Sequence, residues 1–207
     1  MTPPRASAEP ASLAERIEAY RQDTDFTATL RGHALRFHAT WGLFSPREVD
    51  EGTLMLLEAV EVAPDADCFD LGCGYGPIGL TLARLAPQGD TWMVDRDFVA
   101  VEYAAVNAAA NGMGNAHVML SNAFAAVPAE QRFDLVLSNL PAKVGNEALT
   151  LMIADAYEHL NPGGRLYVVT ISGMRRFIER TFEEVFGNYE KVKQGRQHTV
   201  GMAERRA

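Results

Sequence analysis

The sequence predicts an α/β fold: a doubly wound, mostly parallel seven-stranded sheet, with an antiparallel C-terminal hairpin and a short N-terminal helix plus β-hairpin extension. Three observations carry this. From residue 66 onward, short apolar runs alternate with helical patterns, the mark of parallel βαβ units. One strand-to-helix turn holds Gly72, Gly74 and Gly76. The C-terminal segment alternates about a turn at Gln194-Gly195, as an antiparallel hairpin does.

Taken in order, residues 1–10 are rich in Pro and Ala and read as a disordered tail. Ser12-x-x-Glu15 is a capping box ahead of a short helix near 13–22. Phe26, Ala28 and Leu30 alternate, Arg31-Gly32-His33 turns the chain, and Leu35 and Phe37 alternate on the way back. Trp41 to Phe44 is an apolar loop, followed by a helix expected to start near Pro46 and stop before Pro64. Residues 11–63 therefore form a flanking segment, and residues 64–207 the main domain. In that domain strands are expected near 66–70, 91–94, 116–120, 133–138 and 165–171. Helices are expected near 77–86, 97–110, 146–160 and 174–186, with a turn at Asn161-Pro-Gly-Gly164.

The bulk numbers exclude several classes. A chain of 207 residues, 47% hydrophobic and 22% charged, can bury a large core unaided. No apolar run reaches the roughly 18 residues of a membrane span, and the N-terminus has no apolar signal region, so a cytoplasmic protein without membrane contact is expected. Cys68 and Cys73 read as reduced, packed thiols, and no cluster has metal-ligand spacing, so no metal is expected. The net charge of −8 argues against a general nucleic-acid binder. The charge is uneven, however: residues 161–207 hold nine basic and five acidic residues, a balance of +4. Lys191, Lys193 and Arg196, with Arg175 and Arg176, are candidates for a local basic face.

Asp70-Leu-Gly-Cys-Gly-Tyr-Gly76 leaves an apolar strand and enters a helix opened by Pro77, a residue favoured at the first helical position. Such a turn is the nucleotide-cofactor site of Rossmann-like folds. The spacing is G-x-G-x-G rather than the dinucleotide pattern G-x-G-x-x-G. Asp70 would repel a pyrophosphate but suits a nearby cation, which favours S-adenosylmethionine, with its sulfonium and ammonium, over a nicotinamide dinucleotide. Asp95 ends the next strand, 25 residues after Asp70, where a carboxylate can accept both ribose hydroxyls. Arg96, Asn122 and Ala123 follow at strand ends, where Asn122 could reach an adenine. The cofactor set is therefore Asp70, Gly72, Cys73, Gly74, Gly76, Asp95, Arg96, Asn122, Ala123 and Asn139.

The fourth strand of the domain ends in Asn139-Leu140-Pro141-Ala142. This resembles the N-P-P-x motif of methyltransferases acting on planar amines, in which the Asn side chain and the next carbonyl accept the target –NH2. The resemblance makes Asn139, Leu140 and Pro141 the catalytic residues. Leu140 replaces a proline, and Ala142 replaces the stacking aromatic, a role that Phe44 is placed to supply. Leu43-Phe44-Ser45, Val49-Asp50-x-Gly52-Thr53, the glycine turn with Ile78-Gly79, and Lys143-Val-Gly-Asn-Glu147 extend the likeness. Together they resemble the small-domain methyltransferases that modify the exocyclic amine (N2) of guanine in 16S ribosomal RNA. The resemblance implies ribosomal RNA or the small ribosomal subunit as partner, with Phe44, Lys143 and Arg196 at the substrate. A monomer or a homodimer is compatible with it. A protein glutamine amide or a small molecule as substrate, or a SAM-binding protein without catalysis, are the alternatives.

Overall fold

The computed structural model describes residues 12–141 and 144–206. The reading of residues 1–10 as a tail, and Ala142 and Lys143, lie outside them. The elements run α1 (Leu13–Arg21), β1 (Thr24–Leu30), β2 (His33–Ala39), α2 (Glu51–Ala59), β3 (Cys68–Leu71), α3 (Pro77–Leu85), β4 (Thr91–Asp95), α4 (Phe98–Ala110), β5 (Ala116–Leu120), β6 (Phe133–Asn139), α5 (Asn146–His159), β7 (Leu160–Ile171), a short 3-10 turn, α6 (Arg175–Phe186), β8 (Glu190–Gln194) and β9 (His198–Glu204).

The main sheet has seven strands in the order β5-β4-β3-β6-β7-β9-β8. Strands β3 to β7 are parallel to one another, whereas β9 is antiparallel to β7 and to β8. Strand order reverses between β3 and β6, so a crevice opens there at the carboxyl ends of the strands. Side chains alternate across the pleat. Leu135 and Leu137 face one core with α2, α3, α4 and the N-terminal hairpin, and Val136 faces the other with α5 and α6. Continuous apolar strands are thus the consequence of helices covering both faces.

The N-terminal hairpin β1-β2 forms its own two-stranded sheet. It is latched to α4 by Asn107, which is fully buried. The Asn107 amide donates to the carbonyls of His38 and Tyr75 (2.9 and 2.8 Å), and its oxygen accepts from the His38 N–H at 2.7 Å. Every polar atom of that side chain is satisfied, as burial requires. At α1 the capping box is present: Glu15 N donates to Ser12 Oγ and Ser12 N to Glu15 Oε2.

Two boundaries differ from expectation. The helix expected from Pro46 begins at Glu51, with Asp50 as its N-cap. Residues 45–50 are instead held as a loop by the Tyr75 hydroxyl, which donates to the Ser45 and Glu48 carbonyls at 3.1 Å each. Strand β7 starts at Leu160 rather than 165, because the expected Asn161–Gly164 turn is an irregularity within it. Its backbone partners are Arg205 to Gly163 and Gly164.

Candidate active site

A cleft of about 940 Å³ lies at the reversal of strand order, where β3, β4, β5 and β6 end. Gly72, Cys73, Gly74, Asp95, Arg96, Asn122, Ala123, Asn139, Leu140, Pro141 and Phe44 all line it. Five loops distant in sequence therefore meet at one opening. Asp70, Gly76 and Arg196 are not part of its wall, and Lys143 lies outside the described residues.

The glycine turn is folded onto the end of β4. The amides of Gly72 and Cys73 both donate to the Val94 carbonyl at 2.9 Å, and Gly74 N–H donates to Asp95 Oδ2 at 2.9 Å. Gly72 and Gly74 have φ of +80° and +56°, left-handed values that an L side chain resists. An added Cβ at either would meet nothing within 4 Å, so backbone conformation rather than crowding demands glycine there.

This geometry decides which cofactor fits. A pyrophosphate needs free N–H groups at the turn and at the helix N-terminus. Here those of Gly72, Cys73 and Gly74 are already engaged. Pro77 at the first helical position has no N–H, and Gly79 N–H donates to Asp70 Oδ2 at 2.7 Å. Asp70 thus fills the N-terminal end of α3 with its own carboxyl group. It is fully buried behind the turn and does not line the cleft, so it supports the loop rather than facing a ligand. Burial, only partly offset by the Gly79 N–H and added to by the Asp95 charge, pushes its pKa up to about 8. Burial also raises both thiols, Cys68 to about 12 and Cys73 well above the ordinary thiol value, so they are packing groups.

Asp95 carries the acceptors that remain. Its Oδ1 takes Asp97 N–H at 3.0 Å and its Oδ2 takes Gly74 N–H. A carboxylate has roughly four lone-pair sites, so two are left for hydroxyls in the cleft. Across the opening, Ser121 Oγ donates to the Ala123 carbonyl at 2.6 Å and accepts Ala126 N–H at 3.1 Å. These bonds hold Ala123 at φ +51°, a strained value for a residue with a Cβ. The site is thus suited to a nucleoside and not to a dinucleotide, and Asp70, turned away from the cleft, offers no charge to a cationic ligand.

Asn139 closes β6 at the same crevice. Ser138 beneath it donates to the Leu71 carbonyl at 2.7 Å, joining the end of β6 to the glycine turn. Asn139 Nδ2 donates to both carboxylate oxygens of Asp50 (3.1 and 3.2 Å) and to Thr53 Oγ1 (3.1 Å). Leu140 N–H donates to the Val169 carbonyl at 3.1 Å, and its own carbonyl has no partner among the described residues. Phe44 and Trp41 stand out from the loop above, 69% and 65% exposed. Sequence reasoning assigns no site role to Asp50, Thr53 or Tyr75. The helix-capping pattern Asp50-x-x-Thr53 is the available signal for the first two.

Arg196 sits on the β8-β9 turn, at the cleft end of the sheet, two residues before His198, which does line the cleft. Lys193 pairs with Glu58 at 2.6 Å, and Lys191 donates to Gln194 Oε1 at 3.2 Å. Among the described residues no group of three metal-ligating side chains occurs, and no helix is long and apolar enough to cross a membrane.

Comparison with known proteins identifies the family. Residues 34–201 match the family model described as the methyltransferase small domain. The chain is 33% identical over 175 residues to the uncharacterized protein YbxB of Bacillus subtilis, covering 83% of this chain and 86% of that one. It is 33% identical over 183 residues to ribosomal RNA small subunit methyltransferase C of Pseudomonas entomophila, covering 86% of this chain and 51% of the relative. A T. thermophilus 16S rRNA N2 methyltransferase, solved with AdoMet and guanosine, superposes with a TM-score of 0.81 at 30% identity. That match covers 89% of this chain and 51% of the solved one, so the chain spans about half the length of these ribosomal RNA methyltransferases. With its family model matched over most of its length, the chain belongs to the methyltransferase small domain family.

Proposed function

We propose that the protein is a SAM-dependent N-methyltransferase that modifies an exocyclic amine, that of guanine in ribosomal RNA. The observation that carries this reading is the meeting of Asn139, Leu140 and Pro141 with the Gly72–Gly74 turn and Asp95 in one cleft. The relatives named for small-subunit RNA methylation, and the guanosine held by a solved neighbour, support the choice of amine.

S-adenosylmethionine, when bound, supplies an electrophilic methyl carbon and a neutral sulfide leaving group. Asp95 would hold the ribose hydroxyls, Asn122 and Ala123 the adenine side, and Arg96 the mouth beside them. Asn139 Oδ1 and the Leu140 carbonyl would accept the two N–H bonds of the target amine. That fixes the plane of the amine and directs the nitrogen lone pair into the cleft. Pro141 restricts Leu140 to an extended backbone and so aims its carbonyl. Phe44 offers an exposed aromatic face to the base, and Arg196 a charge to the backbone phosphates. Alignment of this kind contributes on the order of 7–11 kcal/mol to a displacement whose neutral leaving group needs no acid, and the methylated nitrogen would then release its extra proton to solvent. The segment 11–63 then flanks the substrate, and residues 64–207 hold the cofactor.

The experiment is a tritiated-SAM assay offering naked ribosomal RNA, assembled small subunits and total protein side by side. Label in guanine of either RNA substrate is the expected result. Label in protein alone would move the activity to a glutamine amide, and no label with intact SAM binding would leave a non-catalytic binder.

A further inference from the structure

We infer that Asp50 is a positioning residue for the transfer step: with Thr53 it fixes the side-chain amide of Asn139 so that its oxygen, not its nitrogen, faces the substrate. This rests on the reading of Asn139 given above. The two ends of an Asn amide are nearly isosteric, and a free Asn139 would present either one to the cleft. The neighbours decide. A carboxylate can only accept, so the end of Asn139 that faces Asp50 must be the –NH2. Its hydrogens are used on Asp50 Oδ1 and Oδ2 and on Thr53 Oγ1, at 3.1, 3.2 and 3.1 Å. Oδ1 is thereby turned from α2 as an acceptor, which is what a donor amine needs.

Asp50 is itself held. Its carboxylate caps α2 by accepting Gly52 N–H and Thr53 N–H, both at 3.1 Å. Four hydrogen bonds thus converge on one carboxylate that is half-buried at the cleft wall. The neighbouring Gly52 shows how tight the arrangement is. A Cβ there would lie 3.0 Å from Asp50 Oδ2 and 3.1 Å from His198 Cδ2, so even a methyl group would require them to give by a few tenths of an ångström. The charge on Asp50 adds a second effect. A carboxylate bonded to the amide hydrogens draws electron density towards Asn139 Oδ1. That strengthens an acceptor facing a nitrogen that becomes positive as it attacks.

The test uses Asp50→Asn. Asn caps a helix about as well as Asp, so the fold should be kept. The new –NH2 would oppose that of Asn139 and favour the flipped amide, which presents donors to a donor. We expect kcat on the RNA substrate to fall about a hundredfold, the scale of a lost positioning contact. SAM affinity, read by calorimetry, and the melting temperature should stay near wild type. Thr53→Val removes one acceptor without touching the backbone cap, and kcat should fall by up to about tenfold. The decisive readout is a double-mutant cycle with Asn139→Ala. If Asp50 acts through Asn139, adding Asp50→Asn to Asn139→Ala should cost little more. Wild-type kcat in Asp50→Asn alongside an inactive Asn139→Ala would overturn the inference and leave the Asn139 reading standing. So would fully additive losses. Full activity in Asn139→Ala would remove the Asn139 reading and this inference with it. Should Asp50→Asn unfold, Thr53→Val in the same cycle decides the matter by the same criteria.

Discussion

Gly74 N–H donates to Asp95 Oδ2 at 2.9 Å, so the turn after β3 and the carboxylate at the end of β4 form one unit. The loop conformation and the proposed ribose acceptor therefore depend on each other. Asp95→Ala should lose the hydroxyl contacts and loosen the Gly74 turn together. SAM affinity should fall by roughly 1.5–3 kcal/mol, the range for hydrogen bonds to a charged group. Calorimetry checks this, and wild-type affinity in the variant would remove Asp95 from the binding set.

Phe44 gives a prediction that separates stacking from packing. Its side chain is 69% exposed, so it contributes little to the core. Phe44→Ala should leave the melting temperature unchanged, as surface substitutions usually do within about 0.5 kcal/mol. Turnover on RNA should drop by an amount equivalent to losing one stacked base, about 1–3 kcal/mol. Unaltered kcat/KM would assign the stacking elsewhere, for instance to Trp41 on the same loop.

Much of the architecture was legible in the sequence for a physical reason. Parallel strands covered on both faces must be apolar at successive positions, and Leu135, Val136 and Leu137 are buried on alternate sides. The glycines at positive φ could be anticipated because no other residue adopts those values easily. Asp70 shows where this stops. Its place at a strand end suggested a ligand contact, but only the fold reveals that its side chain turns back onto Gly79 N–H. The start of α2 failed likewise. Pro46 satisfies the local preference for a first helical residue, but the Tyr75 hydroxyl, bonded to Ser45 and Glu48, holds that segment out of the helix. The pairing of Asp50 with Asn139 joins residues 89 apart and has no local signature.

The basic residues of the C-terminal hairpin should not behave alike. Lys193 is already paired with Glu58, whereas Arg196 is exposed on the turn at the cleft end of the sheet. Arg196→Ala should flatten the log–log salt dependence of RNA binding by roughly 0.7–0.9, the loss of one phosphate contact. Lys193→Ala should change it less, because its charge has an internal partner. An unchanged slope in Arg196→Ala would make the turn a solvated edge of the sheet.

The buried carboxyl of Asp70 makes stability depend on pH in an unusual direction. Most folded carboxylates are stabilised in the charged form, but burial raises this one to about 8. In the unfolded chain it would titrate near the ordinary value of about 3.9. Between these values the native state holds the proton and the unfolded state does not. Unfolding then releases a proton, so this group's contribution to stability is fully present below about pH 4 and is lost as pH rises towards 8. Asp70→Asn keeps an oxygen to accept Gly79 N–H but cannot ionise. Its denaturant midpoint, compared with wild type, should be relatively higher at pH 8 than at pH 5. The difference should be on the order of a few kcal/mol, since each tenfold change in proton affinity corresponds to about 1.4 kcal/mol. SAM affinity should change little, because the Asp70 side chain lies behind the turn rather than in the cleft wall. Parallel pH profiles for the two proteins would show that Asp70 is not protonated in the fold. A large loss of SAM affinity with an intact melting temperature would instead return the residue to the ligand site that its sequence position first suggested.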